Sequence, residues 1–280
     1  MPRVLAWEVT RRCPLKCRHC RAAAANIPYA DELTTDECRR VIDSLAGGGT
    51  SLIIWTGGEP MLRPDLEELV RHATARNIRS ALAPCGLYVT TARLQALKDA
   101  GVSACSFSLD GVDAESHDAF RGVPGAYDRV LNAMSVAREI GLPFQINATI
   151  STLNFDRLDD IYANALSLGA TRLDVFSLVP VGRGKEIDRY VLSDDQTREL
   201  IAWSKSHTCK LTCCPMAGTC RGGYGFAFLS HIGVLQTCGF VEDPCGNVRD
   251  FGCDFRALCA AAVNPLALRG TCRDRRRLEA

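Results

Sequence analysis

The chain has 280 residues, is 47% apolar and carries a formal net charge of +1. That is enough for one large domain, or a domain with a smaller module, and it leaves no electrostatic footprint for nucleic acid. No run approaches the roughly 18 uninterrupted apolar residues of a membrane span, and the N-terminus has no apolar signal region, so a soluble cytoplasmic chain is expected, with no membrane partner.

The predicted elements alternate. The run Val4-Leu5-Ala6-Trp7-Glu8-Val9 reads as a buried strand, followed by a loop with three cysteines. Thr34 and Glu37 fit a capping box, and Val41, Ile42 and Leu45 give the helix behind it an apolar face that ends at Gly47-Gly48-Gly49. A second strand, 51–55, leads into Gly57-Gly58-Glu59-Pro60 and then a helix opened by Pro64. Strands at 79–83, 104–109, 144–150 and 172–178 follow, with helices near 91–100, 127–140 and 158–168, each stopped by a glycine. Six such alternations predict an α/β fold with a parallel sheet, curled into a partial (β/α)6 TIM-type barrel. In such barrels chemistry sits at the C-terminal ends of the strands. Cys13 to Cys20, Gly57 to Pro60, Cys85, Ser108 to Asp110, Asn147 and Val179 to Gly184 all fall there.

The fifteen cysteines are unevenly spread: six lie before residue 110, none between 106 and 208, and nine between 209 and 272. In a reducing compartment this points to metal ligands or thiols rather than disulfides, in two modules separated by a scaffold. Cys13, Cys17 and Cys20 have the spacing C-x3-C-x2-C. Three thiolates on one loop can hold three irons of a [4Fe–4S] cube and leave the fourth open, and an open position is the mark of a site that does chemistry. A zinc knuckle would need His19 to fold back on its own loop, and a two-cluster ferredoxin has another spacing.

With Gly57-Gly58-Glu59-Pro60 after the second strand, this loop resembles that of the radical S-adenosylmethionine (SAM) enzymes, over residues 4 to about 190. His19 stands where the family usually has an aromatic residue. The resemblance implies that the open iron binds SAM and that its reductive cleavage yields a 5′-deoxyadenosyl radical, with no catalytic residue beyond cluster and SAM. It also implies a SAM pocket from Gly57, Gly58, Glu59, Pro60, Ser108, Asp110, Asn147 and Val179. The glycines would let the backbone approach the methionine moiety, and Glu59 would accept from its ammonium group. Read as plain residues, Gly57 to Pro60 and Asp110-Gly111 are strand-end turns, and Asn147 is an inward polar group that needs a partner.

A second module is expected over 191–280, after the linker Ser193-Asp194-Asp195. Cys214, Cys220 and Cys238, with Gly233 between the last two, resemble the SPASM or twitch auxiliary-cluster module and imply an auxiliary [4Fe–4S] cluster. Cys220 and Cys238 would straddle a hairpin of 226–230 and 234–236. Buried thiols or a zinc site are the plain alternatives. Cys272 looks like the entry to a further motif that the sequence does not continue, so a second auxiliary cluster is expected to be absent and the chain reads as complete or truncated. Cys245, Cys253, Cys259, Cys272 or a substrate atom are candidates for the fourth ligand; Cys253 and Cys259, six apart in an expected helix, would face opposite sides.

Trp7-Glu8-Val9-Thr10, Phe120-Arg121-Gly122-Val123-Pro124-Gly125 and Val179-Pro180-Val181-Gly182-Arg183-Gly184-Lys185 resemble the haem-biosynthesis branch, which trims tetrapyrrole side chains. That implies attack on a propionate of iron-coproporphyrin or a sirohaem derivative, with oxidative decarboxylation as an outcome, and a reducing partner such as flavodoxin or ferredoxin. Arg121, Arg183 and Lys185 would bind other propionates, or Arg121 the SAM carboxylate; as plain residues they are solvated loop cations. This branch has Asn where Cys85 stands. The alternatives are a SPASM-type maturase of a ribosomal peptide, often with an N-terminal extension where this chain starts directly on a strand, and a non-catalytic iron–sulfur electron carrier.

Overall fold

Leu5, Trp7 and Val9 alternate along the first strand with Ala6, Glu8 and Thr10, and the period of two sends the two sets to opposite faces. In the computed structural model, which describes residues 1–212, 222–223, 225–240 and 244–262, the first set lies fully buried in the main core. The second lines the inner face, where Glu8 and Thr10 are buried polar residues.

This strand is β1 (Val4–Thr10), followed by α1 (Thr35–Gly47), β2 (Leu52–Gly57), α2 (Leu66–Thr74), β3 (Arg79–Leu82), α3 (Thr91–Ala100) and β4 (Val102–Ser108). Then come α4 (Ala114–Arg121), α5 (Ala126–Glu139), β5 (Phe144–Ile150), α6 (Leu158–Ser167) and β6 (Leu173–Ser177). The expected Thr34–Glu37 capping box closes the N-terminus of α1. Val41, Ile42 and Leu45 of α1 are fully buried, each contributing roughly 1.5–3 kcal/mol. Trp7 and Trp55 are paired in register and stack at 5.7 Å between centroids.

The strand–helix alternation does not stop at β6. Ser193 and Gln196 form a second capping box that opens α7 (Asp194–Ser206), so the expected linker is a helix start. Strand β7 (Cys209–Thr212) then pairs parallel with β6. The expected hairpin is β8 (Phe226–Leu229) with β9 (Val234–Gln236), joined antiparallel, and β10 (Pro244–Asn247) follows β9 antiparallel. The sheet order is β10-β9-β8-β1-β2-β3-β4-β5-β6-β7. Because β8 pairs parallel with β1, the C-terminal segment continues the sheet of the N-terminal one.

The last helix, α8 (Phe255–Ala261), packs near α1, where Ser44 Oγ donates to Asp254 Oδ1 at 2.6 Å. Arg249 grips Glu37 at 2.8 and 3.0 Å. Cys259 lies in α8, but Cys253 precedes it at a positive φ of 66°. The helix expected to contain both cysteines therefore starts after the first.

Candidate functional site

The site is assembled where β1, β2, β4 and β6 end. Cys13 and Cys17 are buried and Cys20 is half-buried, all in one apolar cluster with Leu15, Ala24, Ala126 and Cys85. The loop that carries them is held at several points. Cys13 N–H donates to Ala25 O at 3.0 Å, and Arg18 N–H donates to Phe120 O at 3.0 Å. Lys16 N–H donates to Arg121 O at 3.2 Å.

Gly57 and Gly58 pack tightly against the start of this loop. A Cβ on Gly57, at φ +153°, would lie 2.2 Å from Thr10 O, and one on Gly58 would lie 2.4 Å from the carbonyl oxygens of both Arg11 and Arg12. The missing side chains thus admit the cysteine loop itself. Gly58 N–H donates to Thr10 O and Glu59 N–H to Arg12 O, both at 2.8 Å.

Glu59 is fully buried. Its carboxylate accepts from Met61 N–H at 2.8 Å and from Cys85 N–H at 2.6 Å, tying the end of β2 to the end of β3. Burial pushes its carboxyl up against the pull of these donors. Burial and the neighbouring Glu59 carboxylate push the Cys85 thiol well up. The sequence marked the position of Cys85 but not this partner. Pro60 opens a short 3-10 turn, Pro60–Leu62.

Ser108 and Asn147 are register partners on β4 and β5. Gln145 Nε2 donates to Asn147 Oδ1 and to Asp174 Oδ2, both at 2.9 Å, so the inner face of β5 and β6 is a hydrogen-bonded polar strip. Asp110 is buried and accepts from Thr149 N–H at 2.7 Å. Its other oxygen is paired with Arg121 Nη2 at 2.5 Å. Burial would raise its carboxyl, but the Arg121 guanidinium holds it below the usual range.

Arg121 ends α4, and its Nη1 lies 3.7 Å from Cys17 Sγ. It is not the solvated loop cation of the plain reading. Arg183 likewise is turned inward: Nε donates to Cys17 O at 2.9 Å and Nη1 to Ala24 O at 2.7 Å. It straps the cysteine loop instead of standing open at the barrel mouth. Gly182, at φ +54°, lets this strap lie against the carbonyls of Cys20 and Arg21. Lys185 is exposed. Val179 follows β6, with its carbonyl accepting from Val181 N–H at 2.8 Å. His19 stacks on Phe120 at 4.3 Å, and burial holds its imidazole down at about 4.

A buried carboxylate couples this loop to the C-terminal hairpin. Glu8, fully buried, meets Arg21 at 2.9 Å, Arg11 at 3.0 Å and His231 at 2.7 Å. His231 sits in the turn between β8 and β9, and Arg21 lies 4.2 Å over the Phe228 ring. Sequence reasoning missed this hub. An acidic residue inside an otherwise apolar strand was its signal.

Cys238 follows β9, half-buried, and its Sγ accepts from Phe240 N–H at 3.4 Å. Cys214, Cys220 and Cys272 lie outside the described residues.

Among the described residues, no three His, Cys, Asp or Glu side chains converge as a single metal ion requires. A [4Fe–4S] cube takes each thiolate on its own iron, so its donors need not meet at a point. Burial pushes the Cys13 thiol up to about 12, and thiolates at Cys17 and Cys20 would add to the rise. Unmetallated, it is a thiol; iron deprotonates it outright. Soft sulfur donors in a dry apolar pocket fit such a cluster.

A mainly parallel α/β sheet with three cysteines on the loop after its first strand is a scaffold on which thiolates could hold an iron–sulfur cluster. The chain belongs to the radical SAM superfamily, whose profile matches residues 7–165, and it is a radical SAM enzyme. That family implies a [4Fe–4S] cluster and SAM. It is 39% identical over 280 aligned residues to the AdoMet-dependent heme synthase of Oleidesulfovibrio alaskensis, covering 89% of this chain and 72% of the relative. It is 37% identical to the AdoMet-dependent heme synthase of Methanosarcina barkeri, covering 89% of this chain and 80% of that one. The fold is like that of native anSMEcpe with bound AdoMet, at a TM-score of 0.73 and 16% identity, covering 91% of this chain and 79% of the other. No helix among the described residues is long and apolar enough to cross a membrane.

Proposed function

We propose that this chain holds a [4Fe–4S] cluster on Cys13, Cys17 and Cys20, binds SAM beside it, and acts on a propionate side chain of an iron tetrapyrrole in haem biosynthesis. The observation that carries the reading is the 39% identity to an AdoMet-dependent heme synthase across 89% of the chain. When bound, cluster and SAM supply reductive cleavage to a 5′-deoxyadenosyl radical that abstracts a substrate hydrogen.

The protein's own part is to hold and to exclude. Gly58 and Glu59 bind the cysteine loop by its carbonyls, and Arg183 straps it from the other side. Buried Cys13 and Cys17, with Leu15 and Ala24, keep water from the cluster position. Ser108 and Asn147 face the interior as hydrogen-bonding groups for SAM, with Gly57, Glu59, Pro60, Asp110 and Val179 around them. His19, neutral near pH 7, offers a ring face without adding charge. Lys185, exposed after β6, is the cation of the expected three that remains suited to a propionate. The reading includes an auxiliary cluster on Cys214, Cys220 and Cys238, a flavodoxin- or ferredoxin-type reductant, and a cytoplasmic location.

The test is anaerobic reconstitution with iron and sulfide, then dithionite and SAM, with and without iron-coproporphyrin. The expected result is 5′-deoxyadenosine together with decarboxylated tetrapyrrole. Cluster-loaded protein that releases no 5′-deoxyadenosine refutes the enzymatic reading. Turnover indifferent to any tetrapyrrole moves the substrate to a ribosomal peptide.

A further inference from the structure

The three cysteines lie among several cations, and most of these are directed elsewhere. Arg11 and Arg21 face Glu8. Arg183 is bound to the carbonyls of Cys17 and Ala24. Arg121 differs, because its Nη1 donates to the sulfur of Cys17 at 3.7 Å. Its side chain is only 11% exposed, against 1% for Asp110. Asp110 holds Nη2 at 2.5 Å and is itself fixed by Thr149 N–H at 2.7 Å. The guanidinium is therefore positioned by β4 and β5, not by solvent.

We propose that Arg121 is a positioning residue for electron entry: by donating to Cys17 Sγ it raises the reduction potential of the cluster, and Asp110 opposes it and sets the size of the effect. The proposal rests on Cys17 being a cluster ligand. The physical reason is differential stabilisation. An added electron places more negative charge on the irons and their sulfurs, so a cation within hydrogen-bond reach of a ligand sulfur favours the reduced state over the oxidised one. Cluster potentials follow net charge, hydrogen bonds to sulfur and exposure. The contact here is buried, where charges are weakly screened. Pairing the same guanidinium with a SAM or substrate carboxylate predicts something different: weaker ligand binding on its removal, with the potential of the SAM-free cluster unmoved.

The experiment is an anaerobic redox titration, followed by electron paramagnetic resonance, on the full-length cluster-loaded chain without SAM. Arg121→Gln is expected to lower the reduced-to-oxidised ratio at a fixed potential about tenfold, which is about 59 mV for a one-electron couple. Arg121→Lys keeps the charge without the fixed fork and should recover part of the shift. Asp110→Asn should move the midpoint upward, a sign that general loosening of the site does not produce. If Arg121→Gln does not fold, the opposed shifts of the other two variants decide. Midpoints that coincide in all variants overturn the proposal, as does weakened SAM binding with an unmoved midpoint. Iron content and spectrum unchanged in Cys17→Ser would instead overturn the ligand assignment beneath it.

Discussion

Replacing Glu8 with Gln tests the hub that joins the cysteine loop to the C-terminal hairpin. Glu8 is fully buried and faces Arg21, Arg11 and His231 within 3.0 Å. Burial alone would raise its carboxyl. The close approach of His231, at 2.7 Å, and the charges of Arg21 and Arg11 overcome this and hold it at about 2, against an ordinary 4.5. A difference of that size corresponds to about 3 kcal/mol of native-state stability from the ionised carboxylate. Breaking a buried ion pair from one side costs about 3–5 kcal/mol, and Arg11 and Arg21 keep partial access to water, which favours the lower end. The folded pKa is depressed, so the contribution is fully present above pH 4.5 and is lost as pH falls through about 2. Anaerobic urea titrations of the cluster-loaded protein at pH 7, followed by circular dichroism, should show the midpoint falling by about 3 kcal/mol divided by the urea slope. The His231→Gln variant should show coupling with Glu8→Gln in a double-mutant cycle. A loss below about 1 kcal/mol would refute the hub, placing these groups in the range of surface pairs.

Other outcomes are as direct. Cys13→Ala, Cys17→Ala and Cys20→Ala should each lose the cluster and all 5′-deoxyadenosine formation, read by iron analysis and product chromatography. Arg183→Ala removes two charged hydrogen bonds to the cysteine-loop backbone; at about 1.5–3 kcal/mol each, net of solvent, it should speed cluster loss to a chelator by at least tenfold. Gly57→Ala places a methyl 2.2 Å from a backbone oxygen at positive φ, so it should lower the melting temperature sharply or give insoluble protein, whereas Gly49→Ala, at φ +83° but with open space around it, should cost only backbone strain and not block iron uptake. Glu37→Gln should cost about 1 kcal/mol at pH 7, as a partly exposed pair does, and the effect should fade as pH falls from 4.5 towards about 2.

The sheet could be read from the sequence because its signals are local. Apolar strands ending at distinctive residues, glycine stops and the Thr34–Glu37 box all act within a few residues. The hairpin of β8 and β9 was legible for the same reason. Strand β7 is not, since Cys-Lys-Leu-Thr carries no strong apolar pattern, and the Ser193 box reads as a linker because Asp-Asp looks like loop chemistry. At the site, positions were legible and partners were not. Arg121 reaches Cys17 across 104 residues and Arg183 reaches it across 166. Long flexible cations carry no record of such partners in their neighbours. Glu8 was hidden in the same way, its hairpin partner His231 lying more than two hundred positions away.

The pairing of β1 with β8 has a bearing on how the molecule is made. Val4 to Trp7 register against Phe226 to Leu229, so one edge of β1 stays bare until β8, more than two hundred positions later, has been made. Such distant pairings form late and leave an adhesive edge exposed meanwhile. The hub at Glu8 completes on the same schedule, because His231 arrives just after β8. A nascent chain can therefore present all three cysteines before the scaffold that steadies their loop exists, and iron delivery timed to release from the ribosome would meet a finished cradle.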